Sequence, residues 1–107
     1  MEESPKKITW SNPAKDRLLE IFEFWESLAG FEKADAMTDA FVARTRILER
    51  FPEIGTIDQK ASSRAVTIRY LVEGYYRISY PYEQEERLVK IRDVFDTRQD
   101  SDTYYNS

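Results

Sequence analysis

The chain has 107 residues, of which 41% are hydrophobic and 14% aromatic, which is enough for one domain with a packed core. It contains no cysteine and no histidine, which excludes disulfides, thiolate chemistry and imidazole-based catalysis or metal binding. The net charge of −4 argues against binding nucleic acid through bulk electrostatic attraction. No apolar run reaches the length of a signal peptide or membrane span, so we expect a cytoplasmic protein without a membrane partner.

The N-terminal segment predicts a short strand followed by an amphipathic helix. Apolar and polar residues alternate around Ile8 and Trp10, which favours a strand. Ser11 or Asn12 can cap a helix, and Pro13 suits its first turn. The apolar positions that follow recur every three or four residues, which predicts one buried stripe. They are Ala14, Leu18, Ile21, Trp25 and Leu28.

A second helix follows after a short connection. Gly30 is placed to end the first helix, and Pro52 and Gly55 are placed to end the second. The short connection predicts that the two helices pair as an antiparallel hairpin. On the second stripe, we expect the aliphatic stem of Arg44 to lie at the edge of the packed face. The stripe consists of Met37, Phe41, Arg44, Leu48 and Phe51.

The second half of the chain predicts strands. Residues 56–63 are polar and favour a loop, whereas residues 64–82 are rich in β-branched and aromatic residues. Glu73-Gly74 divides this segment and is typical of a tight hairpin turn. Residues 88–96 predict the last strand. The segment 99–107 has no periodicity, so we expect a frayed tail after a single domain spanning residues 1–98.

The predicted element order is therefore β-α-α-β-β-β. Two helices that are adjacent in sequence pack most simply as a hairpin on one face of a small, mainly antiparallel sheet, which gives an α+β fold. The first strand is joined to the others by a long connection, so it can lie parallel to its neighbour. The opposite face of the sheet is expected to stay open.

Basic and tyrosine side chains are concentrated in the predicted sheet. The first 59 residues carry 8 basic and 12 acidic side chains, whereas residues 60–98 carry 8 basic and 6 acidic ones. Arginines and tyrosines on an open sheet could bind RNA phosphates and stack on bases. Cross-strand pairing on a half-solvated sheet is the more common reason for such a pattern. Strand alternation places Tyr76, Ile78 and Tyr80 on one face, and Tyr75, Arg77 and Ser79 on the other.

RNA cleavage without a metal is chemically compatible with these residue types. Arginines can stabilise the charge on a scissile phosphate, and a lysine, tyrosine or carboxylate can move the protons. The candidates are Lys60, Arg64, Arg77, Tyr80, Lys90 and Arg98. The chain has no glycine-rich phosphate loop and no cysteine or histidine spacing for metal, so we predict neither cofactor nor metal. Whether the chain is an enzyme stays open at this point.

Four segments in order resemble the RelE/ParE superfamily of bacterial type II toxins, over about residues 8–100. "ITWSNPAKDRLLEIFEFW" is similar to the opening strand and first helix of the family, and "ILERFPEIG" to the end of its second helix. "GYYRISY" resembles the central strand, and "IRDVFDTRQD" the last strand. The resemblance implies a small cytoplasmic toxin of the kind that inhibits growth and stabilises plasmids. It also implies neutralisation by a cognate antitoxin that wraps an extended or helical segment around the toxin.

Members of the superfamily that this chain resembles have one of two activities. RelE-like members cut mRNA in the ribosomal A site with basic and tyrosine residues, whereas ParE-like members poison DNA gyrase. This chain is acidic, and it has Asp96 where many RelE-like relatives have histidine and Ser101 where proline is usual. We therefore favour a ParE-like toxin. The alternatives are an mRNA endonuclease that uses Arg64, Arg77 and Arg98, and a non-catalytic remnant that only binds antitoxin.

Two further expectations concern the end of the last strand and assembly. The carboxylate of Asp96 is expected to bind Arg98 or Arg92 in a salt bridge, rather than to act as a base. A late tyrosine of RelE-like enzymes has counterparts here in Tyr104 and Tyr105. The chain could form a homo-oligomer, or a hetero-oligomer with the antitoxin.

Overall fold

The computed structural model describes residues 4–98. Its elements confirm the predicted order and the α+β class, with two more strands than expected. The predicted tail at 99–107, and with it Ser101, Tyr104 and Tyr105, lies outside the described residues. The elements are β1 (Lys7–Trp10), α1 (Asn12–Ala29), α2 (Phe31–Thr45), a short 3₁₀ helix (Arg46–Glu49), β2 (Thr56–Ile57), β3 (Thr67–Glu73), β4 (Tyr76–Tyr82), β5 (Leu88–Ile91) and β6 (Asp93–Asp96).

The helical hairpin forms as the sequence predicts. The Ser11 hydroxyl caps α1 by accepting a hydrogen bond from the Ala14 N–H at 3.1 Å. Gly30 has a φ of +94°, a conformation that other residues rarely adopt, and its N–H donates to the Glu26 carbonyl at 2.9 Å. Because α2 begins at the next residue, Phe31, the two helices turn back on each other within a single residue.

The sheet is built around β4. It pairs antiparallel with β3 and with β6, and β2 extends the same sheet on the far side of β3. The first strand pairs parallel with β5, as expected from the long connection. Glu73 pairs with Tyr76, so the hairpin turn is centred on Gly74 and Tyr75, one residue later than predicted. Gly74 has a φ of +61°, which glycine adopts without strain.

Two strand predictions need correction. The segment 88–96 is not one strand, because Arg92 interrupts it and donates its N–H to the Ser79 carbonyl at 2.8 Å. This break lets β5 pair with β1 while β6 pairs with β4. The predicted loop 56–63 begins with β2, a two-residue pairing against β3 that is too short to produce a periodic sequence signal.

The core lies between the helical hairpin and the sheet. Two residues of the predicted stripes are nevertheless exposed. Trp25 of α1 already hydrogen-bonds Tyr76, the first residue of β4. Leu28 lies one turn further along α1, beyond the end of the sheet, and is therefore 65% exposed. Phe51 is 54% exposed because the 3₁₀ helix changes the periodicity after Thr45. The most deeply buried large side chains include Tyr80, Phe41, Leu48, Ile78, Ile91 and Val94.

Candidate binding site

Three arginines of the sheet region each lie over a tyrosine ring. This arrangement engages both the positive charges and the stacking surfaces that an RNA ligand would use, and it matches the cross-strand pairing of a half-solvated sheet. The distances from guanidinium carbon to ring centroid are 5.2 Å for Arg69 over Tyr82, 4.1 Å for Arg77 over Tyr70 and 4.5 Å for Arg98 over Tyr75.

Arg77 lies on the face of β4 away from the helices. Its neighbour Tyr76 points into the core, where its ring meets Phe41 of α2 at 5.0 Å between centroids. Alternation therefore directs Arg77 to the opposite face, where it pairs across the strands with Val72 and Phe95. The prediction that Tyr76 and Arg77 face opposite sides of this strand is confirmed, whereas Tyr75 lies in the hairpin turn before the strand.

Arg64 is separated from Arg77 along the sheet. It is exposed in the loop before β3. Val72, the partner of Arg77, lies five residues after Thr67, the first residue of β3, which is about 17 Å along a strand. Two guanidinium groups this far apart do not meet on one phosphate, so they could serve only different nucleotides of a longer strand.

Arg98 is held by two intramolecular contacts at the end of β6. Its Nε and Nη2 donate to the two oxygens of Asp96 at 3.0 and 2.7 Å, which confirms the predicted salt bridge with Arg98. The hydrogen bonds from Arg98 hold the pKa of Asp96 below its ordinary value, and the same pair raises the pKa of Arg98. The backbone N–H of Thr97 donates to the Tyr75 carbonyl at 2.7 Å and so fixes this strand end against the hairpin turn.

The other residues proposed for proton transfer do not join these arginines. Tyr80 is buried, its hydroxyl donates to the Pro52 carbonyl at 2.7 Å, and it accepts from the Gly55 N–H at 3.0 Å. Burial raises the pKa of Tyr80, which suits a structural hydroxyl rather than a base. Lys60 lies in the loop between β2 and β3, and Lys90 is exposed on β5.

A small cavity opens where the helical hairpin meets the β3–β4 turn. It has a volume of about 220 Å³. Sequence reasoning missed it, because Trp25, Phe41 and Tyr76 each also fit a core position. Its lining residues are Trp25, Lys33, Met37, Ala40, Phe41, Glu73, Gly74, Tyr75, Tyr76 and Arg98. We call this cavity the hairpin-end pocket.

The comparison with protein families shows which family this chain belongs to. The model of the ParE toxin of the type II toxin-antitoxin system, parDE, matches residues 8–101. The chain belongs to the ParE toxin family. In the comparison with curated proteins, no relative matches the sequence significantly.

Solved structures support the same fold for this member of the ParE toxin family. The chain is similar to one in the chromosomal ParDE toxin-antitoxin system from P. aeruginosa, with a TM-score of 0.67 and 16% identity over 85% of this chain and 95% of the other. It is also similar to one in the toxin-antitoxin complex RelBE2 from Mycobacterium tuberculosis, with a TM-score of 0.64 and 18% identity over 89% and 94% of the two chains. At these identities the likeness concerns the fold.

Two observations on residues 4–98 bear on other functions. No cluster of three or more acidic side chains in this range is arranged to hold a metal ion. Neither of the long helices here combines the length and the apolar character that crossing a membrane requires.

Proposed function

We propose that this ParE-family toxin inhibits growth by contacting a protein target in the cytoplasm, with DNA gyrase as the candidate target, and that a cognate antitoxin neutralises it. The observation that carries the proposal is the state of Arg98. This arginine lies two residues beyond the last strand, where the RelE-like interpretation requires a phosphate-binding group. Its guanidinium is committed to Asp96 and stacked on Tyr75.

The titratable groups around the sheet support a function without acid–base catalysis. A general base works best when its pKa lies near the operating pH. The pKa of Asp96 is lowered by Arg98, and the pKa of Tyr80 is raised by burial, so both move away from neutrality. The net charge of −4 also disfavours strong attraction to the ribosome.

A supercoiling assay with purified gyrase tests the proposed target. We expect the chain to inhibit supercoiling of a relaxed plasmid, and a topoisomerase of another class should be unaffected. Addition of the antitoxin should restore gyrase activity. Normal supercoiling at concentrations that stop growth would remove gyrase as the target.

A second candidate function is ribosome-dependent mRNA cleavage. It is favoured by the position of Arg77, whose guanidinium lies on the face of the sheet that the helices leave free. In this alternative, Arg64, Arg77 and Arg98 would contact the RNA backbone and stabilise the charge on the phosphate. Arg98 would first have to exchange Asp96 for a phosphate oxygen. Cuts within translated codons after induction would establish this activity.

A third candidate is a toxin remnant that binds antitoxin without any toxic activity. It predicts a tight complex with the antitoxin and normal growth when the chain is strongly expressed alone. Growth arrest on expression would exclude it.

A further inference from the structure

We infer that the hairpin-end pocket receives one large apolar side chain from the antitoxin, with a carboxylate of the antitoxin placed beside it. The inference rests on the proposed pairing with an antitoxin and locates the anchoring contact of that partner. It follows from the lining of the pocket, its size, the uncovered surface around it and the charges on its rim.

The floor of the pocket offers apolar surface. Phe41 and Tyr76 are buried and meet edge to face. The Trp25 ring N–H donates to the Tyr76 hydroxyl at 3.0 Å, so these two polar groups already have partners. A ligand that enters gains contact with aromatic rings and with the Met37 side chain, rather than hydrogen bonds at the floor.

The size of the pocket fits an anchoring side chain better than a free ligand. Its volume of about 220 Å³ is below the range of about 300–1,000 Å³ that is usual for small-molecule sites. Protein interfaces commonly use a single buried aromatic or aliphatic side chain in such a cavity as their energetic centre.

The surface next to the pocket has apolar groups that this chain leaves in water. The α1 stripe continues past the end of the sheet to Leu28, which is 65% exposed, and Tyr75 at the mouth of the pocket is 62% exposed. A stripe with the spacing of a buried helix face, but without a covering element in the described chain, indicates a surface that is buried in a complex.

The basic residues at the rim of the pocket favour a negative charge on the antitoxin, next to the anchoring side chain. Lys33 and Arg98 line the pocket together with a single carboxylate, Glu73. Lys33 makes no ion pair within the described range, and its Nζ lies 6.0 Å from the centroid of the Trp25 ring. Arg98 uses Nε and Nη2 for Asp96 and leaves Nη1 able to donate. A carboxylate beside the anchor would therefore find two N–H donors.

The test compares the affinity of the antitoxin for variants of the full-length chain. The probe is the purified cognate antitoxin that the proposed function requires, and isothermal titration gives Kd. Ala40→Met adds a side chain that occupies the pocket, and Ala43→Met places the same side chain at an exposed position of α2 outside it. We expect Kd to rise about tenfold or more for Ala40→Met and to stay within about twofold for Ala43→Met.

Lys33→Glu provides a second variant at an exposed position, in case Ala40→Met perturbs folding. It should also weaken binding, and the weakening should diminish as salt is raised. A Kd unchanged by both Ala40→Met and Lys33→Glu would overturn the inference. A self-association of the chain that Ala40→Met abolishes, with antitoxin affinity unchanged, would instead assign the pocket to a second copy and overturn it equally.

Failure of the wider proposal can be recognised separately. If the unaltered chain leaves gyrase and growth unaffected, the proposed target is wrong, but the comparison of Kd values for Ala40→Met and Ala43→Met remains valid. If the unaltered chain does not bind the antitoxin at all, the pairing itself fails, and with it the assignment of the pocket.

Discussion

Arg98 donates two hydrogen bonds to Asp96, from Nε at 3.0 Å and from Nη2 at 2.7 Å, and so closes a bidentate ion pair two residues apart in sequence. Asp96 is the last residue of β6 and stands where the resemblance to RelE-like members implies a histidine, and its carboxylate engages Arg98.

The ion pair predicts a specific dependence of stability on pH. Because Arg98 lowers the pKa of Asp96 in the folded chain, the carboxylate stabilises the fold at pH values above its ordinary pKa of about 3.9. This contribution is lost as the pH falls through the lowered pKa. Asp96→Asn should therefore reduce the thermal midpoint near neutral pH, and its difference from the unaltered chain should shrink below about pH 4.

Asp39→Asn is the matched control, because Asp39 is exposed on α2 and has no ion pair within residues 4–98. Thermal unfolding followed by circular dichroism measures both variants. A difference between Asp96→Asn and the unaltered chain that stays constant from neutral to acidic pH would contradict the role given to the pair.

The Tyr80 hydroxyl is expected to stabilise the fold by joining the loop after the 3₁₀ helix to the core. Tyr80→Phe leaves the buried Pro52 carbonyl and Gly55 N–H without this partner. We expect a loss of about 1–3 kcal/mol in the free energy of unfolding, measured by urea denaturation. Tyr82 is in the same strand but half-buried, so Tyr82→Phe should reduce the free energy of unfolding by less.

The same hydroxyl predicts a loss of stability in alkaline solution. Burial raises the pKa of Tyr80, so the folded state favours the protonated form. The resulting stability is complete below the ordinary tyrosine pKa of about 10 and is lost as the pH rises above it. Tyr80→Phe should make the unfolding free energy less sensitive to pH in this range. An unchanged alkaline slope would show that Tyr80 does not determine it.

Gly55 is predicted to be required by its contact with the Tyr80 ring. A Cβ at this position would lie 2.9 Å from Tyr80 Cε1 and 3.0 Å from the Tyr70 carbonyl oxygen, and nearer still to the Tyr80 hydroxyl. Gly55→Ala should therefore destabilise the fold by about 1–3 kcal/mol. Because Tyr80→Phe removes the closest of these contacts, the double variant should cost less than the two single variants together. Strict additivity would contradict the contact.

The two candidate activities predict opposite results when Arg64 and Arg77 are both replaced. Arg64→Ala combined with Arg77→Ala removes two of the three groups that RNA cleavage would use. If the toxin contacts a protein target through another surface, the double variant should still arrest growth at equal expression. If it cleaves RNA, the double variant should lose its toxicity. Circular dichroism must first show that the double variant folds, because Arg77 also stacks on Tyr70.

The sequence predicted the fold well where periodicity and caps acted together. Ser11, Gly30 and the α1 stripe determine the first helix through local interactions, so their effect can be recognised from the chain alone. The break at Arg92 could not be predicted, because it depends on a backbone hydrogen bond to Ser79 in another strand. Leu28 was misjudged for a related reason, since a helical stripe does not reveal where the sheet beneath it ends.

The candidate site was only partly predictable. The ion pair of Asp96 with Arg98 follows from neighbouring residues at a strand end. The engagement of Arg77 by Tyr70 and the hairpin-end pocket depend on strand register and on the packing of α1 and α2 over the β3–β4 turn. Such relationships between distant segments have no signature in a single sequence.

The most direct test of a protein target is to induce the chain alone in a bacterial host, follow growth, and map the 5′ ends of abundant transcripts by primer extension. The proposed function predicts growth arrest with intact transcripts. New ends confined to translated codons at the onset of arrest would contradict it and would assign the chain to the mRNA endonucleases.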